Sequence, residues 1–382
     1  MKSISFKKIL VIVFIVFTTS LAGAQTRVAY IAGVTGTDPN TARELARGID
    51  VFKSLHKQSS KSIDIKVFDN EGSVEKTLAV MELAYNDGFK FFVGVSNSNE
   101  AMAAAKFISM HKDTFFITPF ATNSKITQVS DRIFRICYDD SAQGKFLAKF
   151  VQNTLRSKRA MILTNIESLY SQDLAENFTK NLKKVITQKY DYIITELDAG
   201  KDISKLIATA KSFNPDVVFI PDSSQNTAKI LKILYSELPS VHYVGGDGWG
   251  GQTLFQAIFP VTPKMKLSYS TYWDSEISIN LNKKFINAYS KLYGGDKPTS
   301  GAALSYESLY ILADAIKSQG LKSVSNIEAI KTFLYSKTFK GTTGDIKFSK
   351  DNGTPARQIV IMSIGQDSKF HPQNISSLVG SK

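Results

Sequence analysis

Five polar loops follow short apolar runs, and the one with the clearest chemistry is Gly245-Gly246-Asp247-Gly248-Trp249. An acid set between glycines at a strand end leaves its carboxylate approachable, and such a group is suited to hold an ammonium. Ser96-Asn97-Ser98-Asn99 precedes a helical stretch whose first N–H groups lack partners, a natural seat for a carboxylate. Thr118-Pro119-Phe120-Ala121-Thr122-Asn123 is again rich in hydroxyls, and Ser168-Leu169-Tyr170 and Asp222-Ser223-Ser224 complete the set. Ordinary helix capping is the competing role for each loop: Ser98 or Thr122 could do no more than satisfy backbone donors.

Two enzyme-like patterns fail on their own chemistry. Gly246-Asp247-Gly248-Trp249-Gly250-Gly251 satisfies G-x-G-x-x-G after a strand. A carboxylate and an indole between the glycines would obstruct a pyrophosphate, and no βαβ unit follows. Gly94-Val95-Ser96-Asn97-Ser98 has the form of a nucleophile elbow with Ser in place of the last Gly. Of His56, His111, His242 and His371, only His371 falls late enough to serve as its base, in a polar tail without an acidic orienter. A serine hydrolase using Ser96 is therefore the remote alternative. The histidines show no ligand spacing, so no metal site is expected, and no cofactor. The lone Cys137 excludes an intramolecular disulfide and reads as a buried, inert thiol in the run Ile133 to Tyr138.

The elements that would position these loops alternate in type. With 382 residues the chain is long enough for two domains. Apolar runs at Arg27–Ala32, Ile63–Phe68, Phe91–Val95 and Thr114–Ile117 alternate with helical patterns over Thr41–Leu55, Val74–Tyr85 and Ser98–Met110. Strands apolar nearly throughout, separated by helices, indicate a parallel sheet covered on both faces. The cycle restarts near Ser141, with strands at Ala160–Leu163, Tyr192–Ile194, Val217–Ile220 and Val241–Val244. Three helices over Leu281–Tyr293, Ser305–Ser318 and Ile327–Tyr335 come next. A hairpin is expected from Ile346–Phe348 and Ile359–Met362 about Asp351-Asn352-Gly353. The late helices can be buried only against an earlier lobe, so the chain crosses between lobes more than once. The fold class is α/β, with two doubly wound Rossmann-like lobes joined by a multi-strand hinge.

Lys2, Lys7 and Lys8, the apolar run Ile9–Phe17 and Ala22-Gly23-Ala24 have the form of a signal peptide cleaved near Ala24. The formal charge is +13, and 13 − 3 = +10 without those lysines. The basic residues are scattered among acids rather than grouped with aromatics, which argues for a solvated surface and against nucleic acid.

Taken in order, these pieces resemble the periplasmic binding proteins of branched-chain amino acid ABC transporters, the periplasmic binding protein type I fold. The resemblance rests on Thr35-Gly36 with Gly48, Thr118–Asn123 leading to Thr127, Tyr138-Asp139-Asp140-Ser141-Ala142-Gln143-Gly144, and Tyr170 in Tyr170–Ala175. It rests also on Gly246–Trp249, on Phe285, Tyr289, Tyr293 and Tyr306, and on the closing stretch Phe339–Phe348. It implies that Ser96 and Thr122 hydroxyls, with nearby N–H groups around Ala121, hold a ligand carboxylate. The Phe120 backbone and the Asp247 carboxylate would hold its ammonium, with Trp249 beside them. Tyr170 would close over the ligand, and Thr41 and Ser223 would line the side-chain pocket, where leucine-type binders carry aromatics. The implied protein is a periplasmic, non-catalytic monomer that delivers an amino acid or related small polar ligand to an inner-membrane ABC permease. Its alternative is a sensor or assembly component without transport. The expected division is a signal peptide at 1–24, a first lobe of 25–139 with 270–339, and a second of 140–269 with 340–382.

Overall fold

The computed structural model describes residues 25–36, 39–61, 63–250, 260, 262–276, 280–318 and 326–373, so the expected signal segment lies outside the described residues. The first lobe is built on five parallel strands, β1 (Thr26–Ala32), β2 (Ile63–Asp69), β3 (Phe91–Gly94), β4 (Phe115–Thr118) and β5 (Ile133–Arg135), in the order β2-β1-β3-β4-β5. Its helices are α1 (Pro39–Leu55), the short α2 (Lys57–Ser60), α3 (Val74–Asn86) and α4 (Ser98–Met110). The alternation of strand side chains divides the core in two. Val28, Tyr30 and Ala32 face one apolar cluster with Leu45, Ile49 and Phe52 of α1. Ala29 and Ile31 face the other, with Met81 of α3 and Phe107 of α4. Asn97 caps α4 and Ser73 caps α3, each side chain accepting the N–H three residues on.

The chain then crosses into a second lobe that repeats the plan. It contains α5 (Asp140–Lys149), β6 (Arg159–Asn165), α6 (Leu169–Asn181), β7 (Ile186–Tyr192), α7 (Ile194–Asp198), α8 (Ile203–Phe213), β8 (Val217–Ile220), α9 (Ser224–Leu234), β9 (His242–Gly245) and β10 (Lys266–Thr271). The parallel part of its sheet runs β7-β6-β8-β9-β10, the same winding as in the first lobe. Met161 and Leu163 of β6 face one core and Ala160 and Ile162 the other.

The chain returns through Tyr272 and Trp273, both buried in the first core, to α10 (Asn280–Leu292), α11 (Ser300–Ser318) and α12 (Ile327–Ser336). These cover the α1 side of the first sheet, as the need to bury them required. Strands β11 (Phe339–Gly341) and β12 (Gly344–Ile346) form a two-stranded hairpin whose Phe339 and Ile346, with Phe348, also sit in the first core. The last crossing delivers β13 (Val360–Ile364) and β14 (Phe370–Pro372) to the second sheet, β13 antiparallel to β10.

Four expectations need correction. Tyr192–Ile194 does not form a strand of its own: β7 ends at Tyr192 and Ile194 opens α7, because the edge strand occupies the polar run before it. The expected hairpin about Asp351–Gly353 does not pair β12 with β13. That turn closes only the single bridge Phe348–Pro355, while Thr342 and Thr343 turn the true hairpin and β13 has its partners in the second sheet. The lobe boundary placed at 269/270 falls inside β10, which belongs to the second sheet through Thr271. The one placed at 339/340 falls inside β11; burial of Ile346 and Phe348 moves the last crossing to between 348 and 360.

Candidate functional site

In both sheets the strand order reverses beside the first strand, so ligands are expected beyond the carboxyl ends of the strands there. The loops after β3, β4, β6 and β9 occupy such ends. Two of the first-lobe loops meet the amino end of α6 in the second lobe. Asn99 donates through Nδ2 to Glu167 O (2.8 Å) and accepts at Oδ1 from Leu169 N–H (2.8 Å). Asn123 Nδ2 donates to Leu169 O (2.8 Å), and Ser124 N–H to Asp173 Oδ2 (2.6 Å). These bonds hold the lobes together at one side of the cleft. Replacing Asn99 with alanine removes two of them, about 1–2 kcal/mol or roughly 5- to 30-fold in favour of the open form. Titration calorimetry should show ligand affinity falling by that factor with an unchanged melting temperature for the empty protein.

Asp247 is the centre of the polar cluster. It follows β9, and its Oδ1 accepts from Gln143 Nε2 (2.6 Å) while Oδ2 accepts from the Tyr272 hydroxyl. The Tyr170 hydroxyl stands alongside and itself accepts from Gly248 N–H (3.1 Å). Burial raises the Asp247 carboxyl above its ordinary value, and the three neutral partners offset part of that shift. Burial, and then the charge of Asp247, push the Tyr138, Tyr170 and Tyr272 hydroxyls well up, so all three stay protonated as donors. Close approach is what the glycines provide. A Cβ at Gly246 would lie 2.7 Å from Gln143 Oε1 and strike Tyr170 Oη, and one at Gly248 would lie 2.6 Å from Asp222 O.

Tyr138, Asp140, Gln143 and Tyr272 were not singled out from the sequence as site residues. The Tyr138 and Tyr272 rings pack with centroids 4.2 Å apart and planes tilted by 36° where the chain crosses between lobes. Gln143 Nε2 also donates to the Tyr138 hydroxyl (3.0 Å). The run Tyr138 to Gly144 had the signal, a capped helix start directly after a strand; Tyr272 had none, because β10 has too many polar residues to read as a strand.

The groups assigned to a ligand carboxylate face carboxylates of the protein itself. Ser96 N–H donates to Glu100 Oε2 (3.1 Å), and Glu100, only 1% exposed, also accepts from Asn70 Nδ2 (3.0 Å). Glu100 thus fills the seat at the start of α4. Thr122 is buried, its carbonyl accepts from Asp140 N–H (2.9 Å), and its hydroxyl stands beside the Asp140 carboxylate. Ala121 is committed as well: its N–H donates to Thr118 Oγ1 (3.2 Å) and its carbonyl accepts from Arg135 Nη1 (2.8 Å). A ligand carboxylate at Ser96 or Thr122 would stand close to the Glu100 or the Asp140 carboxyl.

The remaining expected residues divide. The Phe120 ring is half-buried against the first core and lies 3.2 Å from a Cβ placed on Gly301, so it narrows the cleft on the α11 side. Thr41 is half-buried in the first turns of α1. Ser223 is exposed and caps α9, accepting from Asn226 N–H (3.3 Å). Trp249 is 1% exposed in the second core, and its indole N–H donates to Ile220 O (2.9 Å). The indole occupies the space that a Cβ on Gly245 would need, so it packs against the end of β9. Cys137 is fully buried, and burial pushes its thiol up to about 12. An open depression of about 470 Å³ between α1 and α10, lined in part by Ser54, Leu55, Lys284 and Lys291, contains none of these residues.

The described residues hold no cluster of three metal-ligating side chains and no helix long and apolar enough to cross a membrane. The periplasmic binding protein family model matches residues 15–369. The Leu/Ile/Val-binding protein homolog 1 of Brucella suis biovar 1 is 23% identical over 321 residues, 82% of each chain. A leucine binding protein from Thermotoga maritima superposes with a TM-score of 0.81 at 22% identity, covering 91% of this chain and 97% of its own. A solute binding protein of an ABC transporter from R. palustris, solved in complex with benzoate, gives 0.77 at 16% identity, covering 91% and 95%. Family and fold are those of solute-binding proteins and not of enzymes. With two lobes of like winding, a hinge of three crossings and a polar cleft at the strand ends, the chain belongs to the periplasmic binding protein family.

Proposed function

We propose that the protein captures a small solute bearing an ammonium group, an amino acid or a close relative, in the cleft between its lobes. It would carry that solute in the periplasm to an inner-membrane ABC permease, after loss of the signal segment at 1–24. The observation that carries this reading is the half-buried Asp247 carboxylate, held at a strand end among partners that are all uncharged. A carboxylate drawn partly out of water without a cation is costly, and a ligand ammonium supplies the missing charge together with three donors. The acids beside Ser96 and Thr122 support an amine over the anionic aromatic acids that related proteins bind. Contacts divided between lobes favour the closed form, so the ligand shifts the population toward the shape a permease would engage.

A thermal-shift panel of amino acids, simple amines and aromatic acids tests this reading. A true ligand at a hundredfold excess over Kd adds about 2.7 kcal/mol of apparent stability. Amine-bearing compounds should raise the melting temperature and amine-free acids should not. A response to benzoates alone, or to nothing in the panel, contradicts the proposal.

A further inference from the structure

We infer that Asp140 is a second cation-binding group in the cleft, so that the preferred ligand carries two cationic nitrogens, as a diamine or an amino acid with a cationic side chain does. The inference rests on the amine reading above and narrows it. Asp140 is fully buried in the first turn of α5, its N–H tied to Thr122 O at 2.9 Å. Apart from the Thr122 hydroxyl that stands beside it, no donor among the described residues reaches either of its carboxylate oxygens. Three residues on, and so on the same side of the helix, Gln143 reaches Asp247 with its Nε2 while its buried Oε1 has no partner. The acceptor atoms beside Asp247 therefore outnumber the donors that reach them.

The neighbouring charges do not meet that need. Asp173 and Asp247 add negative charge around Asp140. Asp173 is engaged by Ser124 N–H and Asn177 Nδ2. Arg135 lies near enough to be felt, but its terminal nitrogens are given to Ala121 O (2.8 Å), Asn123 O (2.8 Å) and Thr127 Oγ1 (3.3 Å). It makes no hydrogen bond to Asp140. Native proteins rarely leave a buried carboxylate so poorly supplied with donors, because desolvation is then unrepaid. An ammonium between Asp140 and Gln143 Oε1 would supply these acceptors, while a second nitrogen on the same ligand meets Asp247.

Titration calorimetry with matched pairs tests this: 1,5-diaminopentane against 1-aminopentane, and lysine against norleucine, on the wild type and on Asp140→Asn. The wild type should prefer the dicationic member of at least one pair by tenfold or more. Asp140→Asn should remove that preference while leaving the monoamine within about twofold. Equal binding of both members by the wild type overturns the inference and leaves the amine reading standing, provided Asp247→Ala abolishes that binding. A preference that survives in Asp140→Asn also overturns it. Failure of all four compounds to bind overturns this inference, and the amine reading is then decided by the thermal-shift panel.

Discussion

Asp247→Ala should weaken binding of an amine ligand by two to four powers of ten and leave a folded protein. Two hydrogen bonds from an ammonium to this carboxylate are worth about 1.5–3 kcal/mol each, and each 1.4 kcal/mol is tenfold in Kd. The empty protein loses little, because the variant also relieves the burial that raises the Asp247 carboxyl. Asp247→Asn should give the same loss of affinity while keeping an acceptor for one of Tyr272 and Gln143. The pH dependence has a definite sign. A cation binds the ionised form, so affinity is full above the raised carboxyl value and falls as pH drops through it, before the ordinary value of 3.8 is reached. Without ligand the sign reverses. A group raised in the closed, folded protein contributes stability present below 3.8 and lost as pH rises through the raised value, so the empty cleft is least stable when Asp247 and Asp140 are both charged. Calorimetric titration between pH 4 and 8 reads both effects, and pH-independent affinity would remove Asp247 from the contact.

Arg357→Ala should give the largest loss of stability. Arg357 Nη2 lies 3.2 Å from Glu307 Oε2, with the two side chains 1% and 0% exposed. Glu307 of α11 also accepts from Thr343 N–H (2.6 Å) and Thr343 Oγ1 (2.7 Å) in the turn between β11 and β12. One carboxylate thus binds the long helix, the hairpin and the segment that leads into the last crossing. Removing the arginine strands a buried charge, which costs about 3–5 kcal/mol and should lower the melting temperature by on the order of 10 °C. Burial already raises the Glu307 carboxyl, with Arg357 opposing it. Without Arg357 the raise grows, so the deficit is largest at neutral pH and shrinks as acid protonates Glu307. Replacing both partners, as Glu307→Gln with Arg357→Met, should recover much of the loss. Thermal melts at pH 5 and 8 check both points, and equal melting temperatures for Arg357→Ala and wild type would show that the pair contributes nothing.

Much of the architecture was legible because buried parallel strands such as Phe91–Gly94 and Val217–Ile220 are apolar without interruption. Such runs are hard to mistake when helices separate them. β10 was not legible: Lys266-Leu267-Ser268-Tyr269-Ser270-Thr271 reads as polar, and its hydroxyls are buried by packing against β9 and β13. The terminal hairpin was misplaced because Asp351-Asn352-Gly353 is a good turn, and a turn says nothing about which sheet receives the next strand.

At the cleft, Asp247 was legible from its glycines, which only close backbone approach explains. The resemblance placed Trp249 beside the ligand, whereas the indole turns into the second core. Ser223 satisfied both a capping and a ligand reading, and sequence alone cannot separate the two. Glu100 was invisible as an occupant of the α4 seat, since its reach back to Ser96 N–H depends on the curl of the loop. Asp140 and Gln143 lay in a stretch noted for resemblance and left without a role.

The most direct test is a crystal structure of the protein with the tightest-binding amine from the thermal panel. An ammonium nitrogen within hydrogen-bond distance of an Asp247 carboxylate oxygen, with the ligand touching residues of both lobes, is the expected result. A ligand seated away from Asp247, or held by one lobe alone, would contradict the account.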